Sequence, residues 1–182
     1  MKFLFVCLLC ALNAAAFEVR SYSEQMPESN PVTRFRIREG NTVFSIMPPK
    51  GWTMSSDVNL QRVVVQSGSL GAIIVQVSTN AMPTKPAALR QEVSNRFKDA
   101  SILNEFETPS GATRGLGIDV RHVMDGNHVV LTRLCVFKSA GGTVEICFVR
   151  RPEDDVALQP AWGQFINSFR IEAPKHIAQS GQ

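Results

Sequence analysis

Two pairs of residues in this chain have types and spacing that could do chemistry, the histidines His122 and His128 and the cysteines Cys135 and Cys147. Both pairs fall in consecutive stretches of alternating apolar and polar residues, so what they can do depends on which positions are set side by side. Leu116 to His122 alternates, and Met124-Asp125-Gly126 then offers a three-residue loop whose glycine can take the left-handed position. That loop sets even-numbered residues opposite even-numbered ones, so Val120 faces Val130 and His122 faces His128. A cross-strand histidine pair holds a transition metal when a third ligand arrives. Asp125 is the nearby carboxylate, and its place at the loop tip points it to solvent. Without a firm third ligand, the pair is a polar end to an apolar face. His176 lies far off in the C-terminal tail.

The next stretches, Val130 to Phe137 and Thr143 to Val149, are joined across Ala140-Gly141-Gly142. The same even parity sets Val136 opposite Ile146, Leu134 opposite Phe148 and Cys135 opposite Cys147. Directly opposed positions bring Cβ atoms to about 4.5–5.5 Å, near enough for a disulfide with modest adjustment. Two free thiols are the alternative, and the 11 intervening residues exclude a CxxC redox motif. Other catalytic constellations are missing. Ser67-Gly68-Ser69 and Ser110-Gly111-Ala112 lack the strand-to-helix setting of a nucleophile elbow, and no glycine-rich loop carries the Lys-Ser/Thr of a phosphate cradle. Glu153-Asp154-Asp155 suits the N-terminal end of a helix. The sequence names no catalytic residue and implies no cofactor.

The elements that must position these residues are mostly strands. Arg34 to Arg38 and Val43 to Ile46 alternate around Gly40-Asn41, which predicts a hairpin pairing Glu39 with Thr42, Ile37 with Phe44 and Phe35 with Ile46. Leu60 to Gln66 and Ala72 to Ser78 carry β-branched runs without alternation, as expected of strands covered on both faces. Pro86 opens a segment in which Leu89, Val93 and Phe97 recur at helical spacing, and Trp162, Phe165, Ile166 and Phe169 form a second stripe with Pro160 in its first turn. A further strand is expected near Ile102 to Glu107. One sheet face should gather Leu116, Ile118, Val120, Val130, Leu134, Val136, Val144, Ile146 and Phe148, with Arg121, Arg133 and Glu145 on the other. The expected class is α+β, a largely antiparallel sheet packed by helices.

The chain has 182 residues, 44% apolar and 19% charged, the composition of a globular domain rather than a fibrous or disordered one. Its net charge of +3 is spread along the chain, so nucleic acid is not indicated. Met1-Lys2 followed by Phe3 to Leu12 and then Ala14-Ala15-Ala16 reads as a signal peptide over 1–16, too short to span a bilayer. Cleavage before Phe17 would deliver a periplasmic or secreted product without a transmembrane anchor, to a compartment that favours disulfides. Residues 17–33 are expected to be a poorly ordered lead-in, 34–171 a single domain and 172–182 a flexible tail.

Phe44-Ser45-Ile46-Met47-Pro48-Pro49-Lys50-Gly51-Trp52, then paired strands, a helix, a meander and a closing helix ending in Asn167-Ser168-Phe169, resembles the PsbP-like and DcrB-like periplasmic or lumenal proteins. The resemblance spans about 34–171 and rests on short motifs. It implies an α-β-α sandwich built on an antiparallel sheet, in proteins that are noncatalytic binding or assembly factors, and it transfers no site. Gly51-Trp52 is expected to be a core plug after a turn. The expectation for function is therefore an exported, noncatalytic binding or assembly factor of the bacterial envelope with a protein partner there. The competing class is a metal-assisted hydrolase using His122 and His128.

Overall fold

Short stretches of β-branched and aromatic residues separated by Gly- and Asn-containing turns give eleven strands and two α-helices among the described residues. The computed structural model describes residues 17–25, 30–68, 70–78, 83, 85–111, 113–124 and 127–172. The expected signal peptide, Asp125, and the tail beyond Glu172 with His176 lie outside them. In chain order the elements are β1 (Glu18–Glu24), β2 (Val32–Glu39), β3 (Thr42–Ile46), β4 (Thr53–Asp57), β5 (Arg62–Ser67), β6 (Gly71–Ser78), α1 (Pro86–Arg96) and β7 (Ser101–Ser110). There follow β8 (Thr113–Met124), β9 (His128–Ser139), β10 (Gly142–Arg150), α2 (Asp155–Ser168) and β11 (Arg170–Ile171).

Two antiparallel sheets result, a four-stranded one ordered β1-β2-β3-β11 and a seven-stranded one ordered β4-β5-β6-β10-β9-β8-β7. The molecule is thus mostly antiparallel sheet with two helices, richer in strand than an even α+β sandwich. Helix α1 packs on one face of the larger sheet through Leu89 and Val93. The other face meets both α2, through Leu158, Trp162 and Phe165, and the inner face of the small sheet, through Ile37, Phe44 and Ile46. The β2–β3 hairpin has the expected register, Glu39 with Thr42 and Phe35 with Ile46. Trp52 packs against the main core after a turn in which Gly51 takes φ +82° and the Trp52 N–H donates to the Pro49 carbonyl at 3.0 Å.

The structure corrects four expectations. The lead-in 17–33 contains a strand, because β1 finds a full-length partner in β2 and Phe17 is buried in the core. Glu172 belongs to the fold rather than the tail: its N–H donates to the Val43 carbonyl at 2.8 Å. Pro160 sits inside α2, because the helix starts earlier, after a 3-10 turn at Pro152–Asp154. That start is fixed by Asp155, whose carboxylate takes the buried Arg150 guanidinium and the Gln159 side chain. Burial alone would raise the Asp155 carboxyl, but these hydrogen bonds and the charge of Arg150 hold it below its ordinary value.

The fourth correction concerns β9 and β10. The turn is the two residues Ala140-Gly141, closed by Ser139 paired with Gly142, so odd numbers face even ones: Cys135 lies opposite Ile146 and Cys147 opposite Leu134. Val144, Ile146 and Phe148 therefore leave the face of Val120 and Leu134 and join the core under α2, while Glu145 and Cys147 take their place on the α1 side. Arg133 lies, as expected, on the face opposite Val120 and Leu134, which is the face covered by α2. It forks onto Asp119 at 2.7 and 2.9 Å, with its guanidinium 5.2 Å from the Phe106 ring centroid and 5.8 Å from Trp162.

Candidate functional site

An α-helix of 11 residues is about 16 Å long and about 10 Å wide, whereas seven strands spread over about 29 Å. Helix α1 consequently covers only part of its sheet face, and the uncovered part is hollow. A cavity of about 500 Å³ opens between the C-terminal end of α1 and strands β6, β8, β9 and β10, a size typical of small-molecule sites. Its floor is Ile74, Thr132, Cys147 and Val149, and its wall is His122, Val123 and Met124 at the end of β8. Arg96, Phe97 and Lys98 form the rim, with Asn127 across the mouth.

The rim is set by how α1 ends. Phe97 leaves the helix in an extended conformation, and the Lys98 carbonyl accepts the Val123 N–H at 3.1 Å, tying the segment to β8. This lays the Phe97 ring on His122, with centroids 4.3 Å apart. Arg96 reaches over the floor to the buried Glu145 at 2.7–2.8 Å. The same carboxylate accepts the Cys147 thiol at 3.2 Å. Lys98 makes no ion pair or hydrogen bond through its side chain among the described residues, leaving one exposed ammonium at the mouth.

The expected site residues are placed as follows. His122 pairs with Val130 and His128 with Met124, so the two histidines share a face but stand diagonally, two residues out of direct opposition. The even parity of this hairpin holds and its offset differs, because β8 stays paired as far as Met124, opposite His128, one residue past the point where the expected loop begins. His122 is buried, its Nε2 lies 2.8 Å from Thr132 Oγ1, and burial pushes its basicity below the ordinary value against a weaker hydrogen bond to the Val123 backbone. His128 is exposed. No group of three or more His, Cys, Asp or Glu side chains able to hold a metal occurs among the described residues.

Cys135 and Cys147 are both buried free thiols on opposite faces of the sheet, which corrects the expected disulfide. Neighbouring strand positions of unlike parity point their Cβ atoms apart, beyond what a disulfide can bridge. Burial pushes the Cys135 thiol up to about 12. Burial and the adjacent Glu145 charge push Cys147 well above its ordinary value. Glu153 and Asp154 pair with Arg151, outside the cavity.

The cavity was not legible as a site. Phe97 reads as the third apolar residue of a helical stripe, yet it ends the helix. The signal available was Arg96-Phe97-Lys98, an aromatic flanked by two cations just before Asp99, which takes φ +53° and turns the chain.

No protein-family model matches the chain, and no curated protein matches it. Solved structures similar to it include a protein of unknown function from Pseudomonas aeruginosa, at 11% identity and TM-score 0.47, covering 79% of this chain and 92% of that one. LpqN, involved in cell envelope biogenesis of Mycobacterium tuberculosis, is similar at 10% identity and TM-score 0.47, over 84% of this chain and 91% of its own. The cyanobacterial PsbP (CyanoP) of Synechocystis is similar at 12% identity and TM-score 0.45, over 89% and 96%.

Proposed function

We propose that this protein is an exported, noncatalytic binding module of the cell envelope whose ligand occupies the cavity beside α1. The observation that carries this reading is the chemistry of the lining. Of its four ionisable side chains, Arg96 is spent on Glu145, Lys98 faces solvent at the mouth, burial lowers the basicity of His122, and burial with the neighbouring Glu145 charge pushes the Cys147 thiol well above its ordinary value. A general base or nucleophile needs a pKa near the working pH or a partner that activates it, and these environments push His122 and Cys147 the other way. What remains is an apolar floor with a cationic rim, suited to holding a small molecule rather than transforming it. The signal peptide expected over 1–16 supports an envelope address. Among the described residues no helix is long and apolar enough to cross a membrane.

The test is to fill the floor. Ile74→Trp and Val149→Trp should keep the far-UV circular dichroism of the wild type. Each should weaken binding of the fluorescent apolar probe 8-anilinonaphthalene-1-sulfonate by about tenfold, the loss expected when a bulky ring occupies part of a small pocket. Probe binding equal to wild type in both folded variants would show that the cavity is not the site.

A further inference from the structure

The outer face of the four-stranded sheet, away from the cavity, gathers positive charge by register. Arg20 of β1 stands directly opposite Arg36 of β2, Arg36 opposite Ser45 of β3, and Ser45 opposite Arg170 of β11. Three arginines thus cross the sheet in one row. Like charges directly opposed across antiparallel strands weaken the pairing unless something offsets them. Two carboxylates do so in part. Glu18 accepts from Arg20, and Glu172 takes Nε and Nη2 of Arg36 at 2.7 and 2.5 Å. Arg38 lies directly across from Glu18, but Glu18 is turned onto Arg20. Among the described residues the side chains of Arg38 and Arg170 make neither hydrogen bond nor ion pair.

Between these side chains lies a dent of about 130 Å³ lined by Glu18, Arg20, Arg36 and Arg38, with no apolar residue in it. Such a volume is about four water molecules' share of liquid, enough for one tetrahedral oxyanion and little else. Arg20 and Arg36 each commit Nε and Nη2 to a carboxylate, which leaves both Nη1 groups, while the whole fork of Arg38 is unengaged. Three guanidinium groups from two strands line the dent, and their charge and several free N–H groups suit the higher charge and additional oxygens of a phosphate group better than a singly charged carboxylate. The absence of an aromatic or apolar side chain in the dent speaks against an anchored protein contact or a stacked base.

We propose that this dent is a phosphate-binding site, with Arg38 the principal ligand and Arg20 and Arg36 completing it. The same chemistry is presented by free phosphate and by an anionic lipid headgroup, and a phosphate there offsets the charge of Arg38, which no carboxylate among the described residues takes.

Two probes applied to the exported full chain test it. Inorganic phosphate is titrated at low salt while amide shifts of 15N-labelled protein are followed. Vesicles of phosphatidylglycerol, with phosphatidylcholine vesicles as control, are tested by co-sedimentation. Phosphate should move the amides around Arg20, Arg36 and Arg38. Arg38→Gln should weaken binding at least fivefold and Arg20→Gln somewhat less, and added salt should weaken it further. Arg121→Gln, on the other sheet, should change nothing. Sedimentation with phosphatidylglycerol, competed by phosphate, identifies a lipid headgroup as the source; phosphate shifts without sedimentation identify the free anion. Binding of neither probe by the wild type, or wild-type binding by both Arg38→Gln and Arg20→Gln, overturns the proposal. Because the dent lies on the other sheet, these outcomes are independent of whether the cavity binds its probe.

Discussion

The two faces of the seven-stranded sheet are made by the same strands and are finished differently. On the α2 side, a helix and a second sheet close over the strands together, and aromatic rings fill the space between them. Phe148 stacks on Trp162 at 5.3 Å and 6°, and Phe169 lies 4.9 Å from Phe137 and 5.9 Å from Phe44. On the α1 side a single helix contributes Leu89 and Val93 over Ile118, Val120, Leu134 and Val136, and the rest of the face stays hollow. Two layers cover a wide sheet and one short helix does not. The packed face holds the fold together, and the incompletely covered face is where a ligand can enter without the core being opened.

The largest effect expected from this contrast is on stability. Phe148→Ala, at a fully buried ring on the packed face, should cost about 3–5 kcal/mol, because the rigid surroundings cannot collapse into the space it leaves. Leu89→Ala, the corresponding truncation under α1, should fall near the lower end of the 2–5 kcal/mol range for such changes, about 2 kcal/mol, since the helix can settle toward the cavity. Denaturant unfolding of both variants measures the difference. Equal losses would mean that the α1 side is as tightly packed as the other.

The cysteines allow the same atom exchange on both faces. Cys135→Ser puts a hydroxyl among apolar side chains at a position with no exposure, and about 1–3 kcal/mol should be lost to its unmet hydrogen bond. Cys147→Ser should cost less than about 1 kcal/mol, because Glu145 already accepts from that position. A larger loss at Cys147 would reverse the assignment of faces. The thiols themselves give a smaller readout. Ellman's reagent at pH 8 should find both unreactive in the folded protein and both free after denaturation without reductant, with Cys147 the first to react on partial unfolding; a mass two hydrogens short would restore the disulfide.

The smallest effect is that of pH on the α1 side. Burial lowers the basicity of His122 in the folded chain, so the unfolded chain binds a proton more readily. The stability this group contributes is intact above its unfolded pKa of about 6.5 and is lost as pH falls from there toward the folded value. His122→Gln should flatten that part of the stability curve, and an unchanged slope would remove His122 from the account.

How far each region could be read follows from its chemistry. The β2–β3 hairpin was legible because Gly40-Asn41 admits one tight turn, and a slip by one residue would turn Phe35 and Ile37 out and Arg36 in. The β8–β9 faces were legible for the same reason, with Ile118 and Val120 alternating against Asp119 and Arg121. The cavity was not, since it is a consequence of how little sheet α1 covers.

The sequence by itself determined the antiparallel pairings whose strands have one apolar and one polar side, the helix beginning at Pro86, and the amphipathic stripe of α2. Tertiary structure alone decided the register of β10. That strand is apolar on both sides, Val144, Ile146 and Phe148 on one and Cys147 and Val149 on the other, and Ala140-Gly141-Gly142 can close a turn of two residues or of three. With apolar residues on both sides, and the Glu145 charge taken up by Arg96 instead of water, the hydrophobic pattern is nearly indifferent to a one-residue shift. Only the rings of α2 and of the small sheet, waiting on one side for Phe148 and Ile146, fix which way the strand faces. With it they fix the placing of the two cysteines on opposite sides of the sheet.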